Sequence, residues 1–232
     1  MNRVSDLNIH AILFDLDGTL LDTIPDLIAA AKRMLETLRR PSRSDSEIKS
    51  FVGKGIPHLV KRLMGFDHDA PETETARALD LFRDYYSQEN GVRSRPFPNV
   101  RETLNVLKKQ GYRLAVVTNK AENFTLPLLE QQDFLKFFDA VVSGDTLPVK
   151  KPDPRPLLHA CETLHIMPAH TLFIGDSMND SEAARAAEIP VLLLTYGYNG
   201  GRPVESLDCD GLLPDFAHIL DWLKQTQSCP CR

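Results

Sequence analysis

The chain has 232 residues, 42% hydrophobic and 25% charged, with a formal net charge of −5. That balance suits a soluble fold with one good core and room for a small insert, and its acidity argues against nucleic acid as a partner. No apolar run is long enough for a membrane helix, and the acidic Asp6 and Asp15 arrive before any long apolar stretch, so no secretory leader is expected.

Four cysteines, Cys161, Cys209, Cys229 and Cys231, are too few and too scattered for a disulfide framework, and a reducing cytoplasm is the expected compartment. Cys229 and Cys231 fall in a terminal stretch expected to fray, and no role is assigned to them. The seven histidines show no metal-ligand spacing.

The first expected element is a buried strand, Ala11-Ile12-Leu13-Phe14, because the apolar run is short and is closed by Gly18. It runs into Asp15-Leu16-Asp17-Gly18-Thr19-Leu20. Two carboxylates one residue apart at a strand end put charge on the lip of a sheet, where open α/β folds bind ligands. A solvated turn is the alternative reading, since Asp and Gly are common turn residues.

From about Ile24 to Arg95 no strand-like run occurs, and helical periodicities follow one another: Leu27 to Leu38, Ile56 to Met64, and Ala78 to Tyr85. Successive amphipathic helices predict a small inserted bundle. Arg95-Pro96-Phe97-Pro98 reads as the return linker, because prolines and the residues before them resist helix.

Beyond the linker, helical stretches at Val100 to Gln110, Pro156 to Leu164 and Asp180 to Glu188 alternate with strand-like runs. Those runs are Leu114 to Val117, Ala140 to Val142, Thr171 to Ile174 and Val191 to Leu194. Alternation of this kind predicts an α/β fold: a doubly wound, Rossmann-like parallel sheet covered on both faces. The expected division is an α/β core of residues 1–22 and 96–232, with a helical cap of residues 23–95.

Polar clusters follow several of the strands. Thr118-Asn119-Lys120 succeeds Val117, Lys150-Lys151-Pro152-Asp153-Pro154 lies in a later loop, and Gly175-Asp176-Ser177-Met178-Asn179-Asp180 succeeds Ile174. Strand ends of one sense share one rim of a parallel sheet, so these groups can converge. Asp15, Asp17, Asp176 and Asp180 would then supply oxygen donors suited to Mg²⁺. Without a cation such acids repel one another and their pKa values rise. Singly, each cluster has a plainer reading: Thr118-Asn119 and Asp176-Ser177 as helix caps, and one of the two lysines as a solvated charge.

In this order, Asp15-x-Asp17-Gly18-Thr19, Thr118-Asn119, Lys151-Pro152 and Gly175-Asp176-Ser177-x-Asn179-Asp180 resemble the four motifs of the haloacid-dehalogenase-like phosphohydrolases. The likeness covers the whole chain, helical cap included. It implies that Asp15 is the nucleophile, forming an aspartyl-phosphate, and that Asp17 is the acid and then the base. It further implies that Thr118, Asn119 and Lys151 hold the phosphoryl oxygens. Mg²⁺ would be held by Asp176, the Asp15 side chain and the Asp17 main-chain carbonyl, with Asp180 in support. An acid at the second position favours phosphoryl chemistry over the family's metal-free dehalogenation. Lys54 is a formal candidate for the Schiff-base lysine of the phosphonate-cleaving relatives, but its exposed setting shows no sign of the desolvation that lowers a lysine pKa.

In the cap, Phe51-Val52-Gly53-Lys54-Gly55-Ile56-Pro57 resembles the specificity loop of phosphoglycolate phosphatases, as do Ser143 to Pro152 and Thr195 to Asn199. Thr23 departs from the usual Ser after Asp22 but keeps the hydroxyl. The resemblance implies a small phosphorylated substrate bearing a carboxylate, 2-phosphoglycolate, with Gly53 allowing close backbone approach and Lys54 pairing with the carboxylate. A loop that merely starts the next helix is the alternative. Other readings are a different small-molecule or sugar-phosphate phosphatase, a mutase, or an inactive relative that acts as a binding module. Monomer and homodimer both remain open, with no membrane or nucleic-acid partner expected.

Overall fold

The computed structural model describes residues 8–66, 72–199 and 202–227; the expected cysteine tail at Cys229 and Cys231 lies outside them. Six strands form one sheet in which every neighbouring pair is parallel: β1 (Ala11–Phe14), β4 (Arg113–Val117), β5 (Ala140–Val142), β6 (Thr171–Gly175), β7 (Val191–Leu194) and β8 (Gly211–Leu213), in the order β5-β4-β1-β6-β7-β8.

Side chains alternate across the sheet with the two-residue period of a strand. Ile12, Phe14, Leu114, Val116, Leu172, Ile174, Leu192 and Leu194 enter one apolar layer. It also holds Leu104 and Leu107 of α5 (Val100–Lys109), Leu128 and Leu129 of α6 (Glu122–Gln131), and Ile219 and Leu223 of α9 (His218–Gln227). Ala11, Leu13, Ala115, Val117, Phe173, Val191 and Leu193 enter the opposite layer, against α7 (Arg155–Leu164) and α8 (Met178–Ala186). Burial on both faces explains why the strands read as unbroken apolar runs rather than alternating ones.

A two-stranded antiparallel ribbon, β2 (Leu21–Asp22) with β3 (Arg95–Pro96), marks where the chain leaves and rejoins the sheet layer. The expected return linker is therefore partly a strand. Between its two halves lie α1 (Ile24–Thr37), α2 (Asp45–Ser50), α3 (Ile56–Met64) and α4 (Glu72–Glu89), with an apolar cluster of their own around Met34, Leu63, Phe82 and Tyr86. Phe124 of α6 and Tyr198 join that cluster, so the helical block rests on the sheet layer beside the rim. Asp26 of α1, fully buried, accepts hydrogen bonds from the main-chain N–H groups of Gly91 (2.9 Å), Arg93 (2.7 Å) and Ser94 (3.0 Å) and from Ser94 Oγ (2.5 Å). One carboxylate thus ties the outgoing helix to the returning chain.

The structure adds α2, α6, α9 and β8 to the elements anticipated from the sequence, and it shifts the helix expected at 180–188 to Met178–Ala186. No described helix is long and apolar enough to cross a membrane.

Candidate active site

β1 sits between β4 and β6, with Phe14 in register with Val116 on one side and Ile174 on the other. The residues that follow these three strands therefore meet at one rim. The Asp15 N–H continues the ladder to the Ile174 carbonyl (2.9 Å), which fixes where its side chain leaves the sheet. Asp15 Oδ1 accepts from Leu16 N–H (2.7 Å) and lies 2.9 Å from Lys151 Nζ. The hydrogen bonds to this carboxylate end on Oδ1, leaving Oδ2 the freer atom.

Asp176 is buried on the neighbouring strand end. It accepts from Thr19 Oγ1 (2.7 Å) and from Tyr198 N–H. Gly18 is required here: its φ is +92°, and a Cβ on it would stand 2.4 Å from Asp176 Oδ2. The Gly in Asp-x-Asp-Gly thus lets the first strand end close against the acid of the second.

Asp180 folds back from the first turn of α8. Its Oδ2 accepts from Asp176 N–H (3.2 Å), Ser177 N–H (3.0 Å) and Ser177 Oγ (2.6 Å), while Oδ1 receives Lys151 Nζ (2.7 Å). Asp15, Asp176 and Asp180 each offer a carboxylate oxygen within 4.8 Å of the others. Burial above all pushes Asp15 up from 3.8 to about 7; Lys151 opposes the shift, and Asp180 and Asp17 add to it. Asp176 lies well above its ordinary value for the same first reason, with Asp180 and Asp15 adding to the effect. The Lys151 ammonium is disfavoured by burial, but Asp15 and Asp180 outweigh this and hold its pKa at about 12.

Three buried acids against one ammonium leave an excess of negative charge confined in a few ångströms, and oxygen-only donors suit a hard divalent cation such as Mg²⁺. The donor set therefore fits that ion. Asp180 is already saturated with donors, so Asp15 and Asp176 are the carboxylates with capacity to spare. The Asp17 side chain, included with the metal-site residues on sequence grounds, is not in this cluster.

Asp17 turns the other way. Its Oδ1 accepts from Thr23 Oγ1 (2.6 Å) and from Lys120 Nζ (3.0 Å). Lys120 is buried and also meets the Tyr86 hydroxyl from the helical block. Burial works against the Lys120 charge, yet Asp17 and Tyr86 facing it raise its pKa above the ordinary lysine value. Burial lifts the Tyr86 phenol to about 12. Lys120 and Tyr86 were not assigned roles from the sequence. The signal for Lys120 is its place in the polar cluster after β4, whereas Tyr86 falls one residue past the Ala78 to Tyr85 periodicity and carries no signal of its own.

Thr118 is buried and accepts from the Lys120 N–H (3.2 Å), which leaves its own hydroxyl proton to donate. Asn119 neither caps α6 nor turns its amide outward. Its Oδ1 accepts from Lys151 N–H (2.9 Å), and its Nδ2 donates to the carbonyls of Lys151 (2.9 Å) and Gly53 (3.2 Å). The side chain expected to hold a phosphoryl oxygen instead clamps the Lys151 loop and the cap loop together.

These groups line a cavity of about 500 Å³ between the sheet rim and the helical block, a size that suits a small ligand. Gly53 reaches it, and its carbonyl also accepts from Asn179 Nδ2 (3.2 Å). Lys54 does not. It is exposed and lines a smaller adjoining cavity of about 250 Å³ with His58, Arg62 and Arg202, one that shares Gly53, Ser177 and Asn179 with the first. The backbone has φ +117° at Gly53 and +84° at Gly55, a turn that brings the Gly53 carbonyl inward and leaves the intervening lysine outside.

The haloacid dehalogenase-like hydrolase model matches residues 12–194. A phosphoglycolate phosphatase of Nitrosospira multiformis is 52% identical over 210 residues, covering 90% of this chain and 92% of that protein. One from Thiobacillus denitrificans is 47% identical, covering 91% and 94%. The crystal structure of a predicted phosphoglycolate phosphatase from Haemophilus somnus 129pt superposes with a TM-score of 0.88 at 36% identity, covering 92% of this chain and 97% of that one.

Proposed function

Because the chain belongs to the haloacid dehalogenase-like hydrolase family, we propose that it hydrolyses a small phosphate monoester, 2-phosphoglycolate, to glycolate and phosphate by way of an aspartyl-phosphate on Asp15. The observation that carries the reading is the pair of acids at the end of β1 with opposite surroundings: Asp15 against Lys151 and the acidic cluster, Asp17 against Lys120 and Thr23. Two carboxylates held in different environments suit two roles. The names of the relatives support the substrate.

Asp15 Oδ2 attacks phosphorus as the ester P–O bond breaks, and the leaving alkoxide takes a proton from Asp17. Water then attacks the phosphorus of the aspartyl-phosphate, Asp17 takes a proton from that water, and Asp15 is released as carboxylate. Splitting the displacement in this way replaces one difficult step with two easier ones. Lys151 and the Thr118 hydroxyl face the phosphoryl oxygens, and the contribution of Asn119 falls to its main-chain N–H, since its amide is engaged elsewhere. Lys120 and Thr23 fix the Asp17 carboxyl so that Oδ2 is presented toward the ester oxygen. Asp15, Asp176 and the Asp17 main-chain carbonyl would hold Mg²⁺, with Asp180 behind them. Bound there, the ion would offset the charge that the acids and the phosphoryl oxygens bring together.

The test is turnover of a panel of small phosphate esters with and without Mg²⁺. Phosphate release from 2-phosphoglycolate that depends on Mg²⁺ and exceeds that from other esters is expected. Binding without turnover on every ester would overturn the reading in favour of a binding module.

A further inference from the structure

Four cationic side chains line the main cavity: Arg83, Lys120, Lys150 and Lys151. Three of them face carboxylates. Lys120 is held by Asp17 (3.0 Å), Lys151 by Asp15 (2.9 Å) and Asp180 (2.7 Å), and Arg83 lies 3.6 Å from Asp80 on its own helix. Lys150 has no carboxylate partner among the described residues. Its ammonium lies where the core meets the cap loop, 3.2 Å from the position a Cβ on Gly55 would take.

The position of Lys150 is well defined. Its carbonyl accepts from the Asp153 N–H (2.9 Å), and the next residue is clamped at both N–H and C=O by the Asn119 amide. An ammonium without a carboxylate partner, half-buried and lining the same cavity as Asp15 and Lys151, suits a second anionic group on the ligand bound there. Gly55 also begins α3, whose N-terminal end adds positive potential of the same sign.

We infer that Lys150, and not Lys54, is the residue that selects substrates carrying a carboxylate next to the phosphate ester. The inference rests on the proposed phosphatase reading and adds to it the group that chooses the acid. Lacking the side chain that would crowd this ammonium, Gly55 lets it stand over the loop at the cavity wall.

The experiment compares 2-phosphoglycolate with 2-hydroxyethyl phosphate, which replaces the carboxylate with an uncharged alcohol, on the wild-type chain and on Lys150→Gln, Lys150→Arg, Lys54→Gln and Arg83→Gln. The wild type is expected to prefer the acid. Lys150→Gln should reduce that preference, as a ratio of kcat/KM values, by at least about tenfold, with the loss in KM, the order of a charge-assisted contact. Lys150→Arg should restore part of the preference, and Lys54→Gln should leave the ratio as in the wild type. A preference that survives Lys150→Gln, or one lost in Lys54→Gln or Arg83→Gln instead, overturns the inference while the substrate reading stands. A wild type that uses both esters equally overturns both.

Discussion

Chelated free of metal, the protein should lose stability as pH rises from 5 to 7.5, and Asp15 should account for much of that loss. Its carboxyl lies near 7 in the folded chain against 3.8 ordinarily, so between those values the folded state binds a proton that the unfolded state has released. Unfolding free energy changes with pH in proportion to the protons bound by the unfolded state minus those bound by the folded state. That difference is negative here, and stability falls with rising pH through the window. From pH 5 to 7, at about 1.4 kcal/mol per pH unit, the cost is roughly 2.5 kcal/mol. The assay is urea unfolding in chelator at pH 5, 6, 7 and 7.5, followed by the fluorescence of Trp222, the chain's single tryptophan. Asp176 is raised by burial as well, so the decisive quantity is the difference between the wild type and Asp15→Asn, which lacks the Asp15 carboxyl. Mg²⁺ added at pH 7.5 should recover stability in the wild type and much less in the variant. Wild type and Asp15→Asn with equal slopes, or a wild-type stability that rises through this window, would refute the reasoning.

Asp15→Asn should also reduce turnover below about 10⁻³ of wild type with the fold intact by circular dichroism, because the attacking oxygen is gone. Lys120→Met, which removes the cation holding Asp17 Oδ1, should lower kcat by at least about tenfold and change KM less, as steady-state kinetics would show. Asp26→Ala leaves three main-chain N–H groups and one hydroxyl without their shared acceptor. It should cost about 2–4 kcal/mol in urea unfolding, and a loss below ~0.5 kcal/mol would show that the junction is not held by this carboxylate.

The sheet and the order of its acidic strand ends were legible because both rest on local patterns. Buried parallel strands are continuous apolar runs, and the groups that follow them must share a rim. What stayed hidden depends on where side chains go once the rim is built. α2 is too short to show a period, and its one local signal is the capping box formed by Ser44 and Glu47 at its start. Tyr86, just past the Ala78 to Tyr85 periodicity, gains its meaning only when Lys120 arrives from β4. Asn119 reads as a cap or an anion ligand because its chemistry allows both, and only the Lys151 loop coming back beside it decides that it is a clamp. Lys54 and Lys150 are both loop lysines flanked by permissive sequence. The turn at Gly53 and Gly55 sends one outside and leaves the other at the cavity wall.

The sheet order explains why this chemistry is built at this place. β1 leads outward to β4 and β5 on one side, and the chain then crosses to β6, β7 and β8 on the other, so the order reverses beside β1 and opens a crevice at its carboxyl end. Adjacent strands lie about 4.8 Å apart. Acids placed just past two neighbouring strands, as Asp15 and Asp176 are, are therefore close enough for one cation to bridge. Asp17, two residues further along the chain, has already passed the edge of the sheet and turns toward the strand on the opposite side, where Lys120 meets it. The different surroundings of the two acids thus follow from strand spacing: the nearer one meets the acids beside β6, the farther one meets Lys120 after β4. An insertion of one residue between them would leave Asp15 on its ladder bond to Ile174 and carry Asp17 away from Thr23 and Lys120, so the one-residue spacing is what keeps the two acids on different partners.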